Sequence, residues 1–142
     1  MTPSRLVWLA IVFWVSTACT PLISPYSQEA YKTATELKAR SLALIAKSSE
    51  PYRSNVTAVE DLSIRMNAAY EYAKGRPRNS VSEQQWELMR DPNGNLMGGF
   101  LKVWKGQGKT SSFYREEKIS QISEAYDTLI CVEISKKEAS DC

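Results

Sequence analysis

The chain has 142 residues, and its charge is nearly balanced, with 18 lysines and arginines against 16 aspartates and glutamates. A dedicated nucleic-acid-binding protein is expected to be more basic, so the composition argues against a nucleic-acid partner. The sequence contains no histidine, which removes the commonest metal ligand and the commonest general base near neutral pH.

The first 18 residues have the pattern of a secretory signal. Arg5 precedes an uncharged apolar run from Leu6 to Val15. A run of about ten residues fits the core of a signal peptide, and it is shorter than the roughly 20 residues that a membrane-spanning helix needs. A buried N-terminal helix is the alternative, but this run has no polar face. We therefore expect residues 1–18 to be a signal peptide that is cleaved.

The signal ends in VSTAC, residues 15–19. This ending resembles the lipobox of bacterial lipoproteins, in which small residues precede a cysteine that is acylated and becomes the first mature residue. The resemblance implies a palmitate-bearing membrane anchor on Cys19. Because Thr20 is not aspartate, it also implies attachment to the outer membrane, facing the periplasm. Ser16 departs from the leucine that is usual in the family, which leaves open ordinary cleavage after Ala18.

A short tether and the first helix follow. Residues 19–25 contain two prolines and predict a tether, with a helical domain over residues 26–142. Ser24 as N-cap and Pro25 in the first helical position form a helix start signal. Apolar residues at helical spacing continue from there and predict a helix that ends before Pro51.

Two further long helices are predicted by apolar stripes of helical period, one over residues 56–74 and one over residues 112–137. Glu133 lies on or near the apolar face of the second of these. Between them, Ser80 and Glu83 form a capping-box pattern for a short helix that stops at a DPNGN turn.

The stretch from Leu96 to Lys109 is ambiguous. Its apolar residues have helical spacing, but Gly98 and Gly99 weaken any helix there. No stretch of useful length has the two-residue alternation of a strand. We therefore predict an all-α fold, a small helical bundle of three long helices plus one or two short helices.

The cysteines suggest one disulfide. Acylation of Cys19 leaves Cys131 and Cys142, and thiols in an oxidising periplasm tend to pair. Extended residues after the last helix can run back about 10 Å along it, which brings the two cysteines within reach. We predict a Cys131–Cys142 bridge, with two unpaired thiols as the alternative.

Catalytic motifs are absent or incomplete. The adjacent acids Glu60 and Asp61 lie on a predicted helix, where their side chains diverge by about 100° and cannot share a proton or a metal. The GQGKT stretch lacks the first glycine of a phosphate-binding loop, because Val103 occupies that position. We predict no catalytic residue, no metal site and no cofactor, and hence that the protein is not an enzyme.

One stretch is a candidate binding surface. Lys102, Trp104, Lys105 and Lys109 combine cations with an aromatic ring, and residues 74–79 add three more cations. Together they would suit anionic lipid headgroups, lipopolysaccharide phosphates or an acidic envelope protein. The alternative is that the tryptophan closes the end of the bundle while the lysines are solvated.

Two functions from different classes remain. The first is a lipid-anchored helical binding or adaptor module of the bacterial cell envelope, without catalysis, which meets the membrane through its lipid anchor. The second is a periplasmic accessory factor or inhibitor of an enzyme of cell-wall metabolism. An enzyme is expected to show convergent acid or nucleophilic groups, and their absence from the sequence favours the binding module.

Overall fold

The computed structural model describes residues 23–138, with side chains as far as residue 137. The predicted signal peptide, Cys19 and Cys142 lie outside the described residues. The described part is 81% helical and contains no strand, which confirms the prediction of an all-α bundle.

Five α-helices follow one another in this part of the chain. They are α1 (Gln28–Ala46), α2 (Val56–Gly75), α3 (Ser80–Arg90), α4 (Met97–Gln107) and α5 (Ser112–Glu138). Two short 3-10 turns, Lys47–Ser49 and Tyr52–Ser54, join α1 to α2. The long helices α1, α2 and α5 match the three that the apolar stripes predict, and α3 and α4 are the short ones.

The helices surround one apolar core. Helix α1 packs against α5 and α2, whereas α3 packs against α2, α4 and α5. Tyr126 lies at the centre, where its ring meets Trp86 edge-on at 6.1 Å and its hydroxyl lies 2.9 Å from that of Ser41. Burial raises the pKa of Tyr126 to about 12. Other fully buried core side chains include Ile45, Met66, Phe100, Ile122 and Leu129.

Two predicted helix caps are wrong. The N-cap of α1 is Ser27, whose hydroxyl accepts a hydrogen bond from the backbone of Ala30 at 3.1 Å. Ser24 does not cap the helix, because its hydroxyl donates to Asn79 Oδ1 at 2.8 Å instead. At α3, Asn79 occupies the cap position and Ser80 is already helical, so the capping box does not form.

The two glycines of the ambiguous stretch allow α4 to begin where it does. A β-carbon on Gly98 would lie 2.2 Å from the carbonyl oxygen of Arg90, at the end of α3. A β-carbon on Gly99 would lie 1.8 Å from the carbonyl oxygen of Gly94 in the preceding turn. Only a residue without a side chain permits this approach, so tertiary packing outweighs the poor helix propensity of glycine.

Candidate functional site

Trp104 belongs to the core and not to a binding surface. Its side chain is 0% exposed, its Nε1 donates to the carbonyl of Glu50 at 3.2 Å, and its ring meets Tyr52 edge-on at 5.4 Å. The prediction that Trp104 contacts a partner is therefore wrong, because the ring fills the space between α4 and the turns before α2. Because the tryptophan ring is large and mostly apolar, its burial in the core is favoured over exposure beside the neighbouring lysines.

The three lysines around Trp104 remain on the surface. Lys102, Lys105 and Lys109 are all exposed, and we call them the distal lysine group. Lys102 donates to Asn93 Oδ1 at 2.9 Å. Arg53 lies beside the other two, since it lines the same shallow cavity as Lys105 and Lys109. Their charged groups therefore lie on the surface at this end of the bundle.

The distal lysine group does not form one face with the basic stretch at residues 74–79. Arg53 and Lys105 lie near the beginning of α2, whereas Lys74 lies in its last turn. Helix α2 has 20 residues. At about 1.5 Å per residue, its two ends are roughly 30 Å apart. The combined surface that the sequence suggests is therefore wrong, because the two groups occupy opposite ends of the bundle.

A buried polar cluster lies where the ends of α2 and α5 meet the beginning of α3. The Lys136 ammonium donates to Glu133 Oε1 at 2.5 Å, and the Ser82 hydroxyl donates to the same oxygen at 2.8 Å. The side chains of Glu133 and Lys136 are only 2% and 5% exposed. We call this group the Glu133 cluster, with the members Ser24, Arg76, Asn79, Ser82, Glu133 and Lys136.

Two cations face the single carboxylate of the Glu133 cluster. Arg76 Nη1 lies 3.7 Å from Glu133 Oε2, opposite Lys136. In the described part of the chain, neither this nitrogen nor this oxygen has a hydrogen-bond partner. Glu133 therefore neutralises cations that would otherwise be buried without a counter-ion. Its loss would leave both Arg76 and Lys136 uncompensated.

The Glu133 cluster also holds the beginning of the described chain. The backbone N–H of Ser24 donates to the carbonyl of Arg78 at 3.0 Å, and Arg76 donates to the carbonyl of Pro25. A little further on, the hydroxyls of Ser27 and Tyr72 lie 2.9 Å apart. The residues nearest to the predicted anchor are thus bound to the end of α2 and to the segment that follows it.

A cavity of about 330 Å³ opens between α1 and α2, and its lining includes Glu133. Small side chains, among them Ala30, Ala69 and Ala73, leave room for the cavity, and the Trp86 ring forms part of its lining. Glu29, Glu36 and Arg65 add exposed charges to its lining. This volume lies at the lower end of the range for small-molecule sites. The cavity can receive a small apolar group or the side chain of a partner.

In residues 23–138, no group of three His, Cys, Asp or Glu side chains is placed to hold a metal ion. No helix within the same range is long and apolar enough to cross a membrane. Cys131 lies on α5 and is half-buried. Because Cys142 is outside the described residues, the Cys131–Cys142 bridge stays a prediction.

Sequence patterns indicate the Glu133 cluster only faintly. An acid on the apolar face of α5 is its one signal, and the partners of Glu133 other than Lys136 lie near residue 80, 51 positions away for Ser82. Compared with known protein families, curated proteins and solved structures, this chain matches none. A function for this chain is therefore inferred from its described side chains and its sequence pattern.

Proposed function

We propose that this protein is a lipid-anchored binding or adaptor module of the bacterial cell envelope. Cys19 carries the lipid, the bundle faces the periplasm from the outer membrane, and the domain binds without catalysing a reaction. The VSTAC ending, with its resemblance to a lipobox, supports the anchor.

The observation that carries this proposal is the attachment of the first described residues to the bundle. Ser24, which follows Cys19 by five positions, is 2% exposed and hydrogen-bonded to Asn79. A lipid on Cys19 would therefore position the whole domain, because only a short segment separates the anchor from the packed structure. Such a short connection suits a module that works close to the membrane.

The surface of the bundle supports a binding role. The distal lysine group lies at the end of the bundle opposite Ser24, so an anchor on Cys19 would leave it turned towards the periplasm. Exposed lysines attract an acidic partner and increase the rate of encounter. An acidic envelope protein is the partner that this surface fits best.

The anchor is tested by feeding cells labelled palmitate. We expect the wild-type protein to be labelled and to fractionate with membranes, and we expect Cys19→Ala to lose both properties. Cys131→Ala is the matched control, because it also removes a cysteine but should keep the label. An unlabelled wild-type protein would leave only a soluble periplasmic domain and would overturn the proposal.

The binding role is tested by crosslinking in intact envelopes. Replacement of Lys102, Lys105 and Lys109 by glutamine should remove a salt-sensitive crosslinked partner, because exposed charges are screened beyond about 10 Å at 0.1 M salt. The fold should persist, since exposed charges add little to stability. A variant that keeps every crosslink of the wild type would show that these lysines are only solvated.

A further inference from the structure

We infer that the cavity between α1 and α2 is a binding site for a small, uncharged molecule that is largely apolar and has one hydrogen-bond donor. This inference goes beyond the proposed function, and it depends neither on the lipid anchor nor on the distal lysine group. It rests on the apolar lining of the cavity and on a buried carboxylate oxygen of Glu133 that accepts no hydrogen bond from any described residue.

The interior of the cavity is mostly apolar. Leu37, Ala69 and Ala73 line it together with Trp86, and all four side chains are buried. Because a dry apolar cavity of about 150 Å³ is enough to hold benzene, a volume of about 330 Å³ has room for a molecule of about two fused rings. Removal of such a molecule from water would favour its binding here.

One oxygen of the Glu133 carboxylate is left to receive a hydrogen bond from a ligand. Glu133 lines the cavity, and its side chain is only 2% exposed. Its Oε1 already accepts hydrogen bonds from Ser82 and Lys136. Its Oε2 lies 3.7 Å from Arg76 Nη1, which is close enough for an ion pair but too far for a hydrogen bond. Since buried polar atoms are nearly always hydrogen-bonded, Oε2 is the acceptor that the N–H or O–H of a ligand would fill.

The charges around the cavity favour an uncharged ligand. Two cations already face the single carboxylate of Glu133, so a cationic ligand would add a third positive charge beside it. An anionic ligand would be repelled by that carboxylate and by Glu29 and Glu36, the exposed acids of the lining. Arg65 does not favour an anion, because its charge is already shared between Asp61 and Glu36. A neutral molecule with one donor avoids both kinds of repulsion.

A matched pair of probes tests the site. Indole has two fused rings and one N–H donor, whereas 1-methylindole has nearly the same shape and no donor. The ¹⁵N-labelled protein is purified from cells as they process it and held in detergent micelles, and dialysis fixes the free concentration of each probe. We expect indole to shift the NMR signal of the Trp86 ring N–H and to leave that of Trp104 in place, because Trp86 lines the cavity and Trp104 does not. 1-Methylindole should bind at least about tenfold more weakly, since it cannot donate to the charged acceptor.

Two alanines of α2 provide a cavity-filling variant and its control. Ala69→Leu places a larger side chain in the cavity and should weaken indole binding at least about tenfold, because it occupies the space of the ligand. Ala58→Leu changes an exposed position nearer the start of α2, outside this lining, and should leave indole binding unchanged. Circular dichroism checks that each variant is folded.

Three results would overturn the inference. They are the lack of a Trp86 shift with indole, equal affinity of the wild-type protein for the two probes, and undiminished indole binding by a folded Ala69→Leu protein. The first two need no variant, so the test stands even where a substitution prevents folding. None of them affects the palmitate label on Cys19, so failure of this site is distinct from failure of the proposed anchor.

Discussion

Glu133 and Lys136 form an ion pair from which water is almost entirely excluded. Taking two charges out of water opposes folding, so such a pair adds little net stability, but removing one partner leaves the other charge buried and unpaired. Glu133→Ala should therefore lower the free energy of unfolding by about 3–5 kcal/mol. Urea denaturation followed by circular dichroism measures this change.

An exposed pair between α1 and α5 gives the matched control. The side chains of Lys38 and Asp127 are 24% and 61% exposed and pair at 2.5 Å. Asp127→Ala should cost only about 0–1 kcal/mol, because solvent already screens this pair. If the Asp127 and Glu133 variants lost equal stability, the Glu133 cluster would not be the buried ionic centre described above.

The Glu133 cluster also shows why the sequence predicts the candidate site only in part. The helical stripe of α5 places Glu133 near the core, but helical spacing says nothing about partners such as Ser82 and Arg76, which are far away in sequence. The same limit applies to Trp104. Its neighbouring lysines suggested a surface, whereas contacts with Tyr52 and Glu50 place its ring inside.

At the scale of helices, long periodic segments are predicted well and interrupted ones are not. The predicted ranges 56–74 and 112–137 differ from α2 and α5 by one residue at the C-terminal end. Each has a stripe of buried residues at helical spacing, broken in α5 only by Glu133 among the buried positions, and burial of that stripe defines the helix. The start of α1 is predicted too early because Ser24 makes tertiary hydrogen bonds, which a local capping pattern cannot anticipate.

Helix α4 yields a prediction in which two glycines of one helix respond with opposite signs. Gly99→Ala should destabilise the protein by about 1–3 kcal/mol, because the added carbon would meet the rigid carbonyl of Gly94. Gly106→Ala, in the same helix, has nothing within 4 Å of the added carbon. It should stabilise by about 0.4–1 kcal/mol, since alanine restricts the unfolded chain.

Thermal and urea unfolding of both glycine variants check this pair of expectations. Circular dichroism of the folded state should stay helical in each case. A stabilising Gly99→Ala substitution would mean that α4 does not approach the preceding turn as closely as its backbone indicates.

At the scale of the whole molecule, the two ends of the bundle differ. The first described residues lie where α1 begins and α2 and α5 end, and the distal lysine group lies where α2 and α5 begin. This polarity follows from helix order and length, because antiparallel neighbours bring alternate ends together. The sequence predicts the helices, but the grouping of cations at two separate ends emerges only from their packing.

The predicted Cys131–Cys142 bridge would reinforce the end of the bundle at which α5 ends. Cys131 lies on α5, about 10 Å before the helix ends at Glu138, and the four residues that follow can span that distance when extended. Closing a loop of about ten residues should stabilise the folded state by about 2–3 kcal/mol. Mass mapping of unreduced protein should find one peptide pair that joins these cysteines, and Cys131→Ser should lower the melting temperature to that of the reduced wild type. Two thiols that alkylate readily in protein purified from the envelope would contradict the bridge.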